Sequence, residues 1–426
     1  MKYKTILRNT LTALSVLLAA ILLGTALMTG VYSLPTGRML TNVAESVDTI
    51  DTEGGSFTWA PGYAGTRLDG FTDNIMLQTA VYSGQDSPLT EAMLNRRMNF
   101  PKARLSPGNA LINYVYGARN GEAESYGRYW HGYLLFLKPL LLFFNLSDIR
   151  MFLMLVQWGL AAMLLICAWQ KGGAKLVLPL GAAIVCLNPV STAMSMQYSS
   201  IYLLMLIFSL VELRFDSFSR QRGWVLYLLL GICTAFFDFL TYPVAALGLC
   251  LGTEILVSGR SAGEKLRSTV ASGFCWGLGY GGMWSGKWLI GSLLTGRNIL
   301  ADALETARYR AGTEVTAAEG AGATGFSQVL AKNLGVYLTP GYLALFGLLA
   351  VLLLGLLLSK KYRLRPNSSL LSLALLALVP FGWYLVLQNH SSVHYWMTYR
   401  DLTVTVFAVL SLFGSSLEKT GGTNHG

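Results

Sequence analysis

The sequence predicts an all-α polytopic membrane protein, a single transmembrane domain over residues 1–426 built as a bundle of about ten transmembrane helices. Of 426 residues, 53% are hydrophobic and 13% are charged. Apolar runs close to the length that crosses a bilayer as a helix recur along the chain, which excludes a soluble enzyme. The short connections between them alternate between strongly basic and free of Lys and Arg.

The first run, LTALSVLLAAILLGTALMTGV after MKYKTILRNT, has the charge layout of a secretory leader. It is longer than a leader's apolar region and no small-x-small cleavage site follows, so it reads as a retained span at 11–32. Further spans are predicted at 149–169, 174–190, 198–213, 223–242, 243–259, 270–291, 339–359, 367–388 and 401–416. The connections QKGGAK, RFDSFSRQR, GRSAGEKLR and SKKYRLR then share the side of Lys2, Lys4 and Arg8. The positive-inside bias makes that side cytoplasmic, with both termini on it. The net charge of +10 is accounted for mainly by these helix ends and calls for no nucleic acid. Five cysteines, none in a CxxC pair, lie in or beside apolar runs and read as small hydrophobes.

WHGYLLFLKPLLLFFNL, residues 130–146, is apolar but short and broken by Lys138 and Pro139. If it crossed, every basic connection downstream would turn outward, so it is predicted to lie at the interface or re-enter from the outer side. Two long segments are therefore expected outside. Residues 33–148, rich in Tyr, Trp and Phe, are predicted to pack as short helices along the membrane surface. Residues 292–338 begin with helix-like charge spacing and pass into a Gly/Ala/Thr stretch, the composition of a mobile flap.

Polar residues at membrane depth are costly, and here they gather on the outer side. Asn188, Gln197, Asp238, Thr241 and Tyr242 are joined there by Lys287 and by the stretch from Gln388 to Asp401, which holds Asn389, His390, His394, Tyr399 and Arg400. Asp69, Asp73, Arg128 and His131 come from the first loop. Such a set implies a polar cavity opening outward beneath the flap.

In LDGFTDNIM, Asp69 and Asp73 are four apart and share a face if the segment is helical. Either carboxylate suits a general base for an incoming hydroxyl, and either suits a helix cap. Arg128 and Arg400, each among aromatics, suit a phosphate held by paired hydrogen bonds; the plainer alternative is a cation snorkelling in an aromatic belt. Lys287 is a second phosphate ligand or the partner of Asp238, and Asp401 is a structural partner for Arg400. His131 and His394 suit hydrogen bonding to a phosphate or hydroxyl. A three-histidine metal site lacks any supporting spacing.

On the long first loop 33–148, its DGFTD stretch and the segment 130–146, the chain resembles the GT-C superfamily of integral membrane glycosyltransferases. It departs from the close acidic pair and the proline-rich aromatic motif of many members, which places it nearer the divergent bacterial ones that decorate surface polymers. The resemblance implies an inverting transfer of a monosaccharide from a polyprenyl-phosphate-linked sugar to a surface glycan or glycolipid. Asp73 or Asp69 would be the base, and Arg400, with Arg128 or Lys287, would hold the leaving phosphate. His131, Asp238, Tyr242, His394 and Tyr399 would line the substrate. Some members need a divalent cation and others none. A transporter or flippase of a lipid-linked or anionic substrate is the competing expectation, and a membrane acyltransferase with His131 as base a third.

Overall fold

A computed structural model describes residues 2–420, without the side chains of residues 2, 3, 216–222 and 318. Helix dominates, and each of the ten predicted segments contains a helix: Lys2–Tyr32, Leu146–Gly172, Ala174–Cys186, Met196–Arg214, Asp216–Phe237, Pro243–Val257, Ala262–Thr295, Pro340–Leu358, Leu370–Val386 and Thr403–Ser416. Among the described residues, four are long and apolar enough to cross a membrane: Lys4–Tyr32, Leu146–Gly172, Met196–Arg214 and Pro340–Leu358. Four others are apolar but shorter, and two of these end where proline chemistry dictates. Ala174–Cys186 stops ahead of Asn188, whose left-handed φ of 59° and Oδ1 bond to the Ser191 amide start a separate turn at Pro189. Pro243 occupies the first turn of its own helix. The connection RFDSFSRQR has its basic character from sequence alone, because the side chains of 216–222 lie outside the described set.

Small residues let the helices approach. A Cβ at Gly231 would lie 2.1 Å from the Trp276 carbonyl, and one at Gly279 would lie 2.2 Å from that of Leu228. Asp216–Phe237 and Ala262–Thr295 thus touch backbone to backbone, the packing used where lipid removes the hydrophobic drive between helices. Pro340–Leu358 is the opposite case, with no buried residue.

The region between residues 33 and 148 is more deeply folded than surface helices would be. Gly70–Val81 is buried over ten of its twelve residues and forms the centre of that region, packed on by Gly37–Ala44 and Pro107–Val115. Ser87 and Ser106, each followed by proline, cap Pro88–Leu94 and Pro107–Val115. Residues 130–146 yield only the eight-residue helix Leu134–Leu141, about 12 Å long and too short to cross. Its Lys138 turns inward and donates to the Ala80 carbonyl at 2.7 Å.

The segment 292–338 is ordered rather than a loose flap. Ile299–Ala311 and Phe326–Tyr337 are helices, and the Gly/Ala/Thr stretch between them closes a two-residue β-ladder, Glu314–Val315 against Gly322–Ala323. The Asn389 amide donates to the Gly312 carbonyl at 2.9 Å, and Asn333 Nδ2 donates to that of Ser391 at 2.8 Å. One backbone and one side-chain hydrogen bond to the 388–396 segment thus tie it down.

Candidate functional site

A cleft of roughly 140 Å³ opens between Ile299–Ala311, the C-terminal half of Ala262–Thr295 and the end of Leu370–Val386. Tyr280, Trp284 and Trp288 of WGLGYGGMWSGKW line it, and with the buried Trp276 they recur every four residues and so share one helix face. Their rings succeed one another at 4.9, 4.9 and 6.0 Å, a strip running about 18 Å along the helix. Trp383 faces the strip at 6.4 Å from Trp276 and 6.2 Å from Tyr280, and Tyr129 meets Trp284 edge-on at 5.7 Å. The glycines between the aromatics put no bulk on the remaining faces, so that Gly279 meets the Leu228 carbonyl and Gly282 and Gly286 meet Leu17 and Ile21.

Two arginines stand at the rim. Arg128 lies 4.6 Å over the Tyr126 ring and pairs with Asp302 at 3.2 Å. Its side chain is 26% exposed and that of Asp302 is 52% exposed, so water competes for the pair. Arg310 pairs with Glu319 at 2.9 Å and donates to Asn389 Oδ1 at 3.1 Å. Outside the cleft lining, the rings of His394 and the buried His390 are 4.8 Å apart, and Trp396 lies 5.4 Å from His394. The Arg67 guanidinium lies flat on Trp396 at 3.7 Å. Arg67 in turn is the cation nearest to Asp69 in effect, opposing the burial that raises the Asp69 carboxyl above its ordinary range.

The two aspartates of LDGFTDNIM both serve as caps, of different helices. Asp69 caps its own helix, Gly70–Val81, accepting from Thr72 N at 3.2 Å and Thr72 Oγ1 at 3.0 Å. Asp73 reaches across the fold to Met196–Arg214, accepting from the Met196 and Gln197 amides at 3.0 Å each. With both oxygens held at a helix N-terminus and 2% exposure, Asp73 is a structural clamp. Burial still raises its carboxyl to about 7, against the pull of Arg150 and the two amides.

Arg400 and Lys287 are not placed to hold a phosphate. All three guanidinium nitrogens of the fully buried Arg400 donate to carbonyls: Leu187 at 2.9 Å, Trp396 at 3.0 Å and Gly65 at 3.1 Å. The Gly65 carbonyl also accepts from Asn188 Nδ2 at 3.1 Å and Ser191 Oγ at 3.2 Å, and a Cβ there would sit 2.7 Å from the Tyr399 hydroxyl. Lys287 donates to the Ala92 carbonyl at 2.9 Å and Asn95 Oδ1 at 3.1 Å, tying the long helix to the first-loop region. Asp238 takes the Thr241 amide and hydroxyl instead of Lys287. Asp401 does not pair with Arg400; its Oδ1 accepts from Val244 N at 3.1 Å.

Tyr242 donates to the Tyr198 carbonyl, and Tyr399 is buried beside the Tyr342 hydroxyl at 3.3 Å, so neither is free to line a substrate. His131 Nε2 donates to the Tyr126 carbonyl at 2.9 Å while Nδ1 accepts from the Tyr133 hydroxyl at 3.0 Å. That neutral tautomer fits the ring's burial, which holds its pKa down to about 3. Of the site residues singled out in the sequence, Arg128 lines the cleft, His394 lies half-buried beside Trp396 outside its lining, and Asp69 keeps slight access. Among the described residues, no three His, Cys, Asp or Glu side chains gather as a metal site would require.

Arg310, Arg67 and the aromatic strip escaped the sequence reading. The four-residue recurrence of Trp and Tyr was its visible signal; Arg310 was hidden in the run RYR, where alternate arginines look like solvent contacts. No family model, no characterised protein and no solved structure matches this chain.

Proposed function

We propose that the protein is a membrane-embedded inverting glycosyltransferase that moves a monosaccharide from a polyprenyl-phosphate donor to a surface glycan or glycolipid. The observation that carries this reading is the aromatic strip ending at Arg128 and Arg310. An apolar, ring-lined cleft suits an isoprenoid chain, and two guanidinium groups at its mouth suit the phosphate that follows. The ten helices serve as ten spans, both termini are cytoplasmic, and the cleft opens outward. The resemblance of the first-loop layout to the GT-C superfamily points the same way.

Asp69 is the base in this reading. It has more access than Asp73, and burial raises its carboxyl above the ordinary range. Its carboxylate takes the proton of the acceptor hydroxyl as that oxygen attacks the anomeric carbon. The bond from that carbon to the phosphate oxygen breaks, and the phosphate leaves with its charge held by Arg128 and Arg310 in place of Arg400 and Lys287. To receive it, the arginines exchange Asp302 and Glu319 for phosphate oxygens.

The test is transfer of label from polyprenyl-phosphate sugars to membrane acceptors by the protein in nanodiscs. Asp69→Asn is expected to lower turnover at least about a hundredfold with donor binding retained. Unchanged turnover in that variant removes Asp69 from the chemistry. Failure of every polyprenyl-phosphate sugar either to bind or to react overturns the reading and favours a carrier of another substrate.

A further inference from the structure

A second concavity, of roughly 530 Å³, lies on the other side of the Glu319–Arg310 pair. The turn of the short β-ladder, Gly320 to Thr324, forms one wall, and Ser392 to Trp396 forms another. Gln328 and Lys332 close it from the helix Phe326–Tyr337. The turn is fixed in shape by three consecutive left-handed residues, Gly320, Ala321 and Gly322, at φ of 115°, 47° and 136°.

The chemistry of this groove contrasts with that of the aromatic cleft. Its two charged side chains are already satisfied: Glu319 accepts from Arg310 and from the Tyr309 hydroxyl at 2.6 Å, and Lys332 donates to Ser392 Oγ at 2.9 Å. What remains is neutral. Thr324 Oγ1 and Trp396 Nε1 are buried and have no hydrogen-bond partner among the described residues, a costly state that a turn of either side chain toward a ligand in the groove relieves. Tyr395 and Trp396, with rings 5.7 Å apart, add apolar surface beside those polar atoms. Aromatic rings beside neutral donors and acceptors suit the C–H faces and hydroxyls of a sugar, and they offer an anion no net charge.

We infer that this groove binds an uncharged carbohydrate chain, and that it is the acceptor site of the transferase. The word acceptor rests on the function proposed above; the sugar-binding chemistry does not. Glu319 then stands between the two sites, one face toward the groove and its carboxylate on Arg310 at the rim of the cleft. A phosphate that draws Arg310 away from Glu319 frees that carboxylate to take a hydroxyl of the bound glycan, so donor entry strengthens acceptor binding.

The test uses the full-length protein in nanodiscs with chitotriose, mannotriose and galactotriose as probes, read by saturation-transfer NMR and titration. At least one trisaccharide is expected to receive saturation, with affinity weakened about fivefold by Trp396→Phe, which removes one N–H and keeps a ring. Gln328→Ala, at an exposed position where it also removes the bond from the Gly325 amide to Gln328 Oε1 at 3.1 Å, is expected to weaken it similarly with the thermal transition retained. Arg128→Ala is expected to leave sugar affinity unchanged while weakening polyprenyl phosphate, which separates this inference from the donor-site reading. No saturation of any of the three sugars, an affinity unmoved by both groove variants, or displacement by inorganic phosphate each overturns it.

Discussion

The arginine at position 400 and the pair at 128 and 310 occupy the same end of the molecule and differ in what holds them. Arg400 gives every nitrogen to a carbonyl, on chain segments 4, 213 and 335 residues away. Arg128 and Arg310 are held by carboxylates that are themselves partly in water. A buried cation satisfied by backbone cannot let go without leaving both itself and several carbonyls unpaired. A rim cation held by an exposed carboxylate can exchange it for another anion at little cost. The contrast assigns Arg400 to the fold and the rim pair to a ligand, although sequence context made Arg400 look the better phosphate ligand.

The largest effect that can break this comparison comes from Arg400→Met. It takes the arginine donor from the carbonyls of Leu187 and Trp396 and one of three donors from that of Gly65, and the loss is expected to be about 3–5 kcal/mol of stability, read as a collapse of the thermal transition or of monodisperse yield. Gly65→Ala, which drives a methyl group against the Tyr399 hydroxyl, is expected to fail in the same way at the same hub. A folded Arg400→Met protein that has merely lost donor binding would return Arg400 to the site.

Next in size is the effect of the rim pair on binding. Arg128→Ala and Arg310→Ala are each expected to weaken polyprenyl phosphate about tenfold, with stability within about 1 kcal/mol of the parent. Tryptophan fluorescence of the strip at Trp284 and Trp288 reports the titration. A loss of stability with affinity intact would make the rim structural and erase the contrast.

How much of this could be seen in the sequence follows the same division. Helices were legible because apolar runs and basic connections are properties of neighbouring residues; SP at 87 and 106, cap and proline together, was an equally local signal that the sequence reading passed over. Asp69 as a cap was also local, three residues from its partner. Asp73 was not: its partners are amides 123 and 124 residues on, which no spacing within LDGFTDNIM reveals. The fates of Lys287 and Arg400 were hidden for the same reason, since they were decided by carbonyls, groups every residue has. The strip at 276, 280, 284 and 288 was written plainly, but the cleft beside its last three rings depends on Ile299–Ala311 and Trp383 framing it.

A smaller effect separates buried from rim groups by pH. His131 is held neutral, its pKa lowered from 6.5 to about 3 by burial. Between those values the unfolded chain binds a proton there that the folded protein does not, so this contribution is complete above about pH 6.5 and is lost as pH falls toward 3. His394, likewise pushed to about 3, and the buried His390 act in the same direction. His131→Gln is expected to take about one proton out of the acid-side dependence of thermal stability between pH 4 and 6. An unaltered slope would show that His131 is charged or solvated in the folded state.

The smallest effect sharpens the comparison most. Asp302 competes with any incoming anion for Arg128 from a position 52% exposed. Asp302→Asn keeps the side chain's shape and its place on Ile299–Ala311 but removes the competing charge. Stability should move by less than about 0.5 kcal/mol, because exposed pairs contribute little. Affinity for polyprenyl phosphate should rise about two- to fivefold, the gain offered by an arginine no longer sharing its charge. The salt dependence of binding should steepen, since the site presents one more net positive charge to the solvent. A fall in affinity instead would mean that Asp302 orients Arg128 for the phosphate rather than standing in for it, and would make the helix Ile299–Ala311 part of the binding surface.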